Sequence, residues 1–167
     1  MHGLAKLGSA AALTVALMGA AHAQQYHQYL PDKGTSEIDF AATLNFEPTE
    51  SQALFGRYGY FLNRNLQLGI DASFARIENG NTAETWNAGV FGNWHFPTAS
   101  QWLPYAGLFA GVAGGSDIDS SVAWGAQGGA KYFFNPNVAG FAELRWRDLE
   151  DSDEQLGIFV GLSVFFR

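Results

Sequence analysis

The chain contains no cysteine. Disulfides, thiolate nucleophiles and cysteine-ligated metals are excluded together. Basic residues are scarce as well: nine Lys and Arg stand against 16 Asp and Glu, for a formal net charge of -7. Phosphate backbones are bound by basic stripes, and none is present, so no nucleic-acid partner is expected. Long apolar runs are also missing. Beyond a short run near the start, nothing reaches the ~18 apolar residues of a membrane-crossing helix. What the chain does have is an unusual pair, 15% aromatic residues together with 20 glycines in 167 residues. Transmembrane barrels use both, aromatics in interfacial girdles and glycines where strands bend or crowd.

Residues 1–23 read as a secretory signal peptide. Lys6 gives a positive start, Ala10 to Ala20 an apolar run, and Ala21-His22-Ala23 a small-x-small cleavage site. Export is the expectation. Residues 24–35, polar and holding Pro31 and Gly34, read as a flexible segment. Residues 36–167 form one domain.

Within that domain the apolar period is two. From Gln155 to Arg167 one parity carries Leu156, Ile158, Val160, Leu162, Val164 and Phe166, and the other Gly157, Phe159, Gly161, Ser163 and Phe165. A strand this long exceeds the usual soluble length and matches the roughly 9 to 11 residues of a tilted membrane strand. The same alternation recurs over 37–46, 52–62, 66–74, 85–96, 103–113, 122–132 and 138–147. The total is eight, an even number that lets first and last strands pair. The fold expected is all-β, an eight-stranded antiparallel up-and-down transmembrane β-barrel. A soluble calyx or sandwich would turn the apolar parity inward. The other parity, mixing Arg57, Asp71, Gln127, Lys131, Glu143 and Arg145 with glycine and phenylalanine, is too uneven for a water-facing exterior.

The connections alternate in character. Asn63-Arg64-Asn65, Pro97 to Gln101 and Asn135-Pro136-Asn137 hold no acid, whereas the others carry Glu47, Glu50, Glu78, Glu84, Asp117, Asp119, Asp148, Glu150, Asp151, Asp153 and Glu154. One rim is therefore acidic. With periplasmic termini that rim is extracellular. Trp86, Trp124 and Trp146 fall near it, and Tyr60, Trp94, Phe96, Tyr132 and Phe166 near the other, as two lipid interfaces require.

Three segments resemble small eight-stranded outer-membrane barrels, the group that includes the transmembrane domain of outer-membrane protein A and the opacity-type proteins. They are Tyr58 to Ile70 (YGYFLNRNLQLGI), Leu103 to Gly111 (LPYAGLFAG) and Phe141 to Arg147 (FAELRWR). The resemblance implies an outer-membrane location among lipid and lipopolysaccharide, and assembly by the barrel-insertion machinery. Members commonly end on an aromatic; here Arg167 follows Phe166. Adhesive members carry long loops, and these are short.

The candidate functional residues follow from the faces. Arg57, Asp71, Gln127, Lys131, Glu143 and Arg145 point into a lumen only wide enough for side chains to fill, so a polar network is expected. Arg57 and Asp71, equidistant from the turn at Arg64, are expected to pair, and Glu143 to take Lys131 or Arg145. His95, inward near the non-acidic rim, reads as a hydrogen-bonded lumen histidine, with no triad around it. No catalytic residue, cofactor or metal centre is expected. Asp148, Glu150, Asp151, Asp153 and Glu154 form a candidate cation-binding rim of hard oxygens. Arg76, lipid-facing by parity, is a candidate contact for a lipid phosphate. The functional expectation is a mainly structural, envelope-integrity role. The alternatives are a narrow gated channel for small solutes or ions and, less favoured, a lipid-modifying enzyme. Nothing in the sequence sets the oligomeric state.

Overall fold

The alternation becomes eight strands in the computed structural model, which describes residues 30–45, 50–79, 81–116, 118–149 and 152–167. They are β1 (Ser36–Asn45), β2 (Glu50–Phe61), β3 (Leu66–Asn79), β4 (Asn81–His95), β5 (Trp102–Gly115), β6 (Ile118–Asn135), β7 (Val138–Leu149) and β8 (Ser152–Phe166). Each pairs antiparallel with its sequence neighbours, and β1 pairs with β8 from Ser36↔Phe166 to Ala41↔Gly161, closing an up-and-down barrel. Closure leaves no unpaired edge, which a membrane solvent demands. Residues 1–23, expected from the sequence to be a signal peptide, lie outside the described residues.

Several strands run further than the sequence alternation suggested. β3 and β4 continue to Asn79↔Asn81, through Arg76↔Glu84, where polar side chains had suggested a loop. The reason is that backbone groups keep pairing beyond the apolar band, since the ladder does not depend on side-chain polarity. Register shifts at Ala113/Gly115, Phe133/Asn135 and Arg147/Leu149 place the irregularities at the rims.

In the strands the buried residues are odd-numbered, with Gly114 the exception. The even-numbered face is apolar and turned outward, with Ile158 74% exposed, Leu108 69% and Leu156 67%. An apolar wall of this extent is a lipid-facing surface. Its two ends carry rings. Trp124 meets Trp146 edge-on at 5.5 Å at one end, and Trp102, Tyr132 and Phe134 stack in sequence at 5.0 and 5.7 Å at the other.

The turns at the end near the chain termini are built by asparagine. Asn63 Oδ1 accepts from the amides of Asn65 and Leu66, and Asn135 Oδ1 from that of Asn137. These side-chain turns account for the asparagine that opens each of these two tight connections. The segment 24–35, expected to be flexible, is packed in its described part. Leu30 rests on the buried cluster at this end, Thr35 is buried, and Phe61 N donates to Thr35 O. An apolar contact and a backbone bond outweighed the polar look of the segment.

Candidate functional site: the filled lumen

Odd-numbered side chains from all eight strands converge on the axis and settle into layers. The layer nearest the chain termini is apolar: Phe61, Leu103, Phe133, Ala139 and Phe165 form a buried cluster, with Leu30 against it. Phe133 and Phe165 lie 4.9 Å apart.

Above it lies the charged layer. Arg57 Nη2 donates to both carboxylate oxygens of Glu143, at 2.8 and 2.7 Å. Tyr105 OH donates to Glu143 Oε2 at 2.8 Å, and Arg145 Nε to Oε1 at 3.3 Å. Arg145 Nη2 also stands 2.8 Å from Asp71 Oδ2. Lys131 pairs with Glu37 and lies 3.5 Å from Asp39, which is 3.4 Å from Arg57. A chain of amides continues the network: Gln67 donates to Glu37 at 2.6 Å, Gln127 to Asn93 at 2.7 Å, and His95 Nε2 meets Gln67 at 3.0 Å. The carboxylates of Glu37, Asp39, Asp71 and Glu143 are thus met by Arg57, Lys131 and Arg145, all buried. Unpaired charges at this depth are costly, and the bidentate and multiple contacts offset that cost.

The inward phenylalanines serve the same layer. Arg57 lies over Phe55 and Phe91 at 4.9 and 4.7 Å, and Arg145 over Phe109 at 4.6 Å. Guanidinium planes stacked on rings hold their direction without spending hydrogen bonds. This is why the inward parity mixes charge and phenylalanine.

The expected residues are all in or beside this network, but the pairing differs. Arg57 and Asp71 are indeed opposite in the β2–β3 ladder. They do not form the expected ion pair: Arg57 crosses the lumen to Glu143 on β7, and Asp71 takes Arg145. Glu143 has Arg145 at 3.1 Å, while Lys131 goes to Glu37 and Asp39. The cause is geometric, since in a narrow barrel every inward side chain points at one axis and opposite walls compete with ladder neighbours. Glu37, Asp39, Gln67, Asn93 and Tyr105 complete the network and were missed. Their inward parity was the available signal.

Outside the lumen, Arg76 lies on the lipid-facing side with its guanidinium 3.7 Å from Glu84. Of the acidic rim, Asp148 is described and half-buried; Glu150 and Asp151, and the side chains of Asp153 and Glu154, lie outside the described residues. Among the described residues no three His, Cys, Asp or Glu converge as metal ligands. At the opposite end Asp32 accepts from Arg64 Nε at 2.7 Å and from Arg167 Nη2 at 2.6 Å. Those two hydrogen bonds hold its carboxyl below its ordinary value of 3.8. Arg167 thereby ties the chain end to the N-terminal segment.

A closed wall with a greasy exterior, two aromatic girdles and a charged, filled interior agrees with the family match. Residues 9–166 match the outer membrane protein beta-barrel domain. The chain belongs to that family. It is an outer-membrane β-barrel protein. Among solved structures it is similar to Neisserial surface protein A, with a TM-score of 0.60 and 18% identity over 79% of this chain and 94% of that one. The N-terminal barrel domain of Pseudomonas aeruginosa OprF gives 0.58 and 19%, covering 81% and 100% of the two chains. OprG from the same organism gives 0.60 and 10%, covering 81% and 97%. At these identities the likeness is one of fold. No curated protein matches by sequence.

Proposed function

We propose that this outer-membrane barrel is a closed structural element that contributes to envelope integrity, without catalysis and without a standing pore. In this reading residues 1–23 direct export, the barrel-insertion machinery places the strands, and lipid and lipopolysaccharide surround the wall. The observation that carries it is the apolar cluster of Phe61, Leu103, Phe133 and Phe165 beneath the buried ion-pair layer. Ions crossing the lumen would have to break the pairs and then pass a desolvating plug. The enzyme alternative finds little support, since His95 is fully buried, 4.9 Å from the Phe61 ring, and cannot meet lipid.

Two measurements test the reading together. Purified protein in planar bilayers is expected to be electrically silent at ordinary voltages. Cells lacking the protein are expected to become sensitive to detergent, with sensitivity reversed by the intact chain. Steady conductance steps that vanish on neutralising Arg57 or Glu143 would replace the structural reading by the gated channel, which is favoured by one feature. Among the described residues His95 Nδ1 is buried without a hydrogen-bond partner, as a group reached by water would be.

A further inference from the structure

Above the charged layer, toward the rim away from the chain termini, lies a cavity of about 200 Å³. At ~30 Å³ per water this is room for roughly six or seven waters. Ser73, Thr85, Asn87, Arg145 and Arg147 supply its polar lining, and Phe159 part of its apolar lining. Among the described residues no carboxylate lines it. Every one of those polar side chains can donate a hydrogen bond: two guanidiniums, one amide and two hydroxyls. The register gathers them. Ser73 pairs with Asn87 across β3 and β4, and Arg145 and Arg147 lie two residues apart on β7, hence on the same face.

Two details make this more than a gap above the network. Asn87 is 5% exposed, and its Nδ2 has no hydrogen-bond partner among the described residues. Buried amide donors are normally satisfied, so an acceptor in the cavity is the missing partner. Arg145, meanwhile, is anchored by Asp71 and Glu143 and stacked on Phe109, so its orientation is fixed before anything arrives. Among the described residues the buried charges are Glu37, Asp39, Asp71 and Glu143 against Arg57, Lys131 and Arg145, with Arg147 on the cavity wall above them. Arg145 and Arg147 stand on the cavity wall, and among the described residues no carboxylate does.

We propose that this cavity binds a tetrahedral oxyanion, a phosphate or sulfate held by Arg147, Arg145 and Asn87, either free or as the terminal group of a monoester. Guanidiniums present forked donors that match such oxygens, and the hydroxyls of Ser73 and Thr85 complete the donor set. The proposal does not rest on the structural role, since the site is present whether or not the barrel conducts.

The test uses the 15N-labelled protein refolded in lipid nanodiscs, titrated with sodium sulfate against sodium chloride at matched ionic strength. At about 0.15 M the Debye length is ~8 Å, so the acidic rim is largely screened. Sulfate is expected to give saturable shifts at the side-chain signals of Arg145, Arg147 and Asn87, and chloride none. Arg147→Gln should weaken sulfate binding roughly tenfold, the effect of one charge-assisted contact. Asn87→Ala should weaken it a few-fold without altering any charge. Heat-modifiable gel migration checks that each variant is folded. A matching response to glycerol 1-phosphate assigns the site to the terminal group of a larger molecule, whereas a response to sulfate alone assigns it to a free ion. Identical, non-saturating shifts with sulfate and chloride overturn the proposal, as does an Asn87→Ala protein that binds like the wild type.

Discussion

Glu143 is the residue on which the interior turns, because it receives Arg57 twice, Tyr105 once and Arg145 once. Glu143→Gln keeps the size and removes the charge, leaving Arg57 with the more distant Asp39 alone. We expect a loss of about 3–5 kcal/mol, the cost of an uncompensated buried ion, read as a lower urea midpoint by tryptophan fluorescence in detergent. Tyr105→Phe should cost less, about 1–2 kcal/mol, since it deletes one charge-assisted bond and leaves no charge unpaired. An equal effect of the two would mean that Glu143 is not the hub. Asp32 offers a pH-dependent counterpart at the terminal rim. Its carboxyl is lowered from 3.8 by hydrogen bonds from Arg64 and then Arg167, so the native form favours the ionised acid. The stabilisation is full above the ordinary value and is lost as pH falls through the lowered one. Hydrogen exchange in residues 30–35 is therefore expected to speed up, relative to its intrinsic rate, only in the acid range below pH 3.8. Asp32→Asn should show the faster exchange at every pH. A variant with unchanged protection would show that the clasp holds nothing.

The strands were legible because a barrel strand writes its two environments on alternate residues. Leu156 to Phe166 could be assigned to lipid, and Phe159 to Phe165 to the lumen, by parity alone. What parity does not carry is the partner across the axis. Arg57 and Asp71 are ladder neighbours, and the rule for cross-strand pairs favours them, yet the long guanidinium stem reaches the far wall, where Glu143 offers both oxygens. Glu37 was overlooked for the same reason, since its partner Lys131 is more than 90 residues away and not on an adjacent strand; Asp39, by contrast, stands opposite Arg57 in the β1–β2 ladder at 3.4 Å and was open to the cross-strand rule. The strand ends were also misjudged, since polar side chains past the lipid band do not interrupt backbone pairing. At the level of the element, the seam between β1 and β8 is the sensitive joint. A Cβ at Gly161 would stand 2.8 Å from the Phe141 ring and 2.9 Å from the Phe40 backbone carbonyl carbon. The ring can shift, but the backbone across the seam cannot. Gly161→Val is expected to reduce the heat-modifiable fraction after refolding, whereas Gly56→Ala, where a Cβ meets nothing within 4 Å, should refold like the wild type.

At the scale of the whole molecule the open matter is which rim faces out, and the absence of cysteine makes it directly measurable. The two rims differ in chemistry. One has asparagine-built turns, the packed segment at Leu30 and both described chain ends; the other has the connections that hold eleven of the sequence's 16 acids, and the cavity holding Arg145 and Arg147. If the termini are periplasmic, a cysteine at exposed Ser116, beside β5 at the acidic rim, will react with a membrane-impermeant maleimide on intact cells. A cysteine at exposed Pro97, in the connection between β4 and β5, will react only after the envelope is opened. Neither label competes with a native thiol, so the contrast is between two sites in one background. The reverse pattern would invert the barrel and put the cavity on the periplasmic side, changing which anions can reach it. Labelling at both positions in intact cells would mean that the envelope leaks, against the integrity role proposed. Labelling at Ser116→Cys alone places the acidic rim, and the basic cavity beneath it, where molecules from outside the cell arrive first.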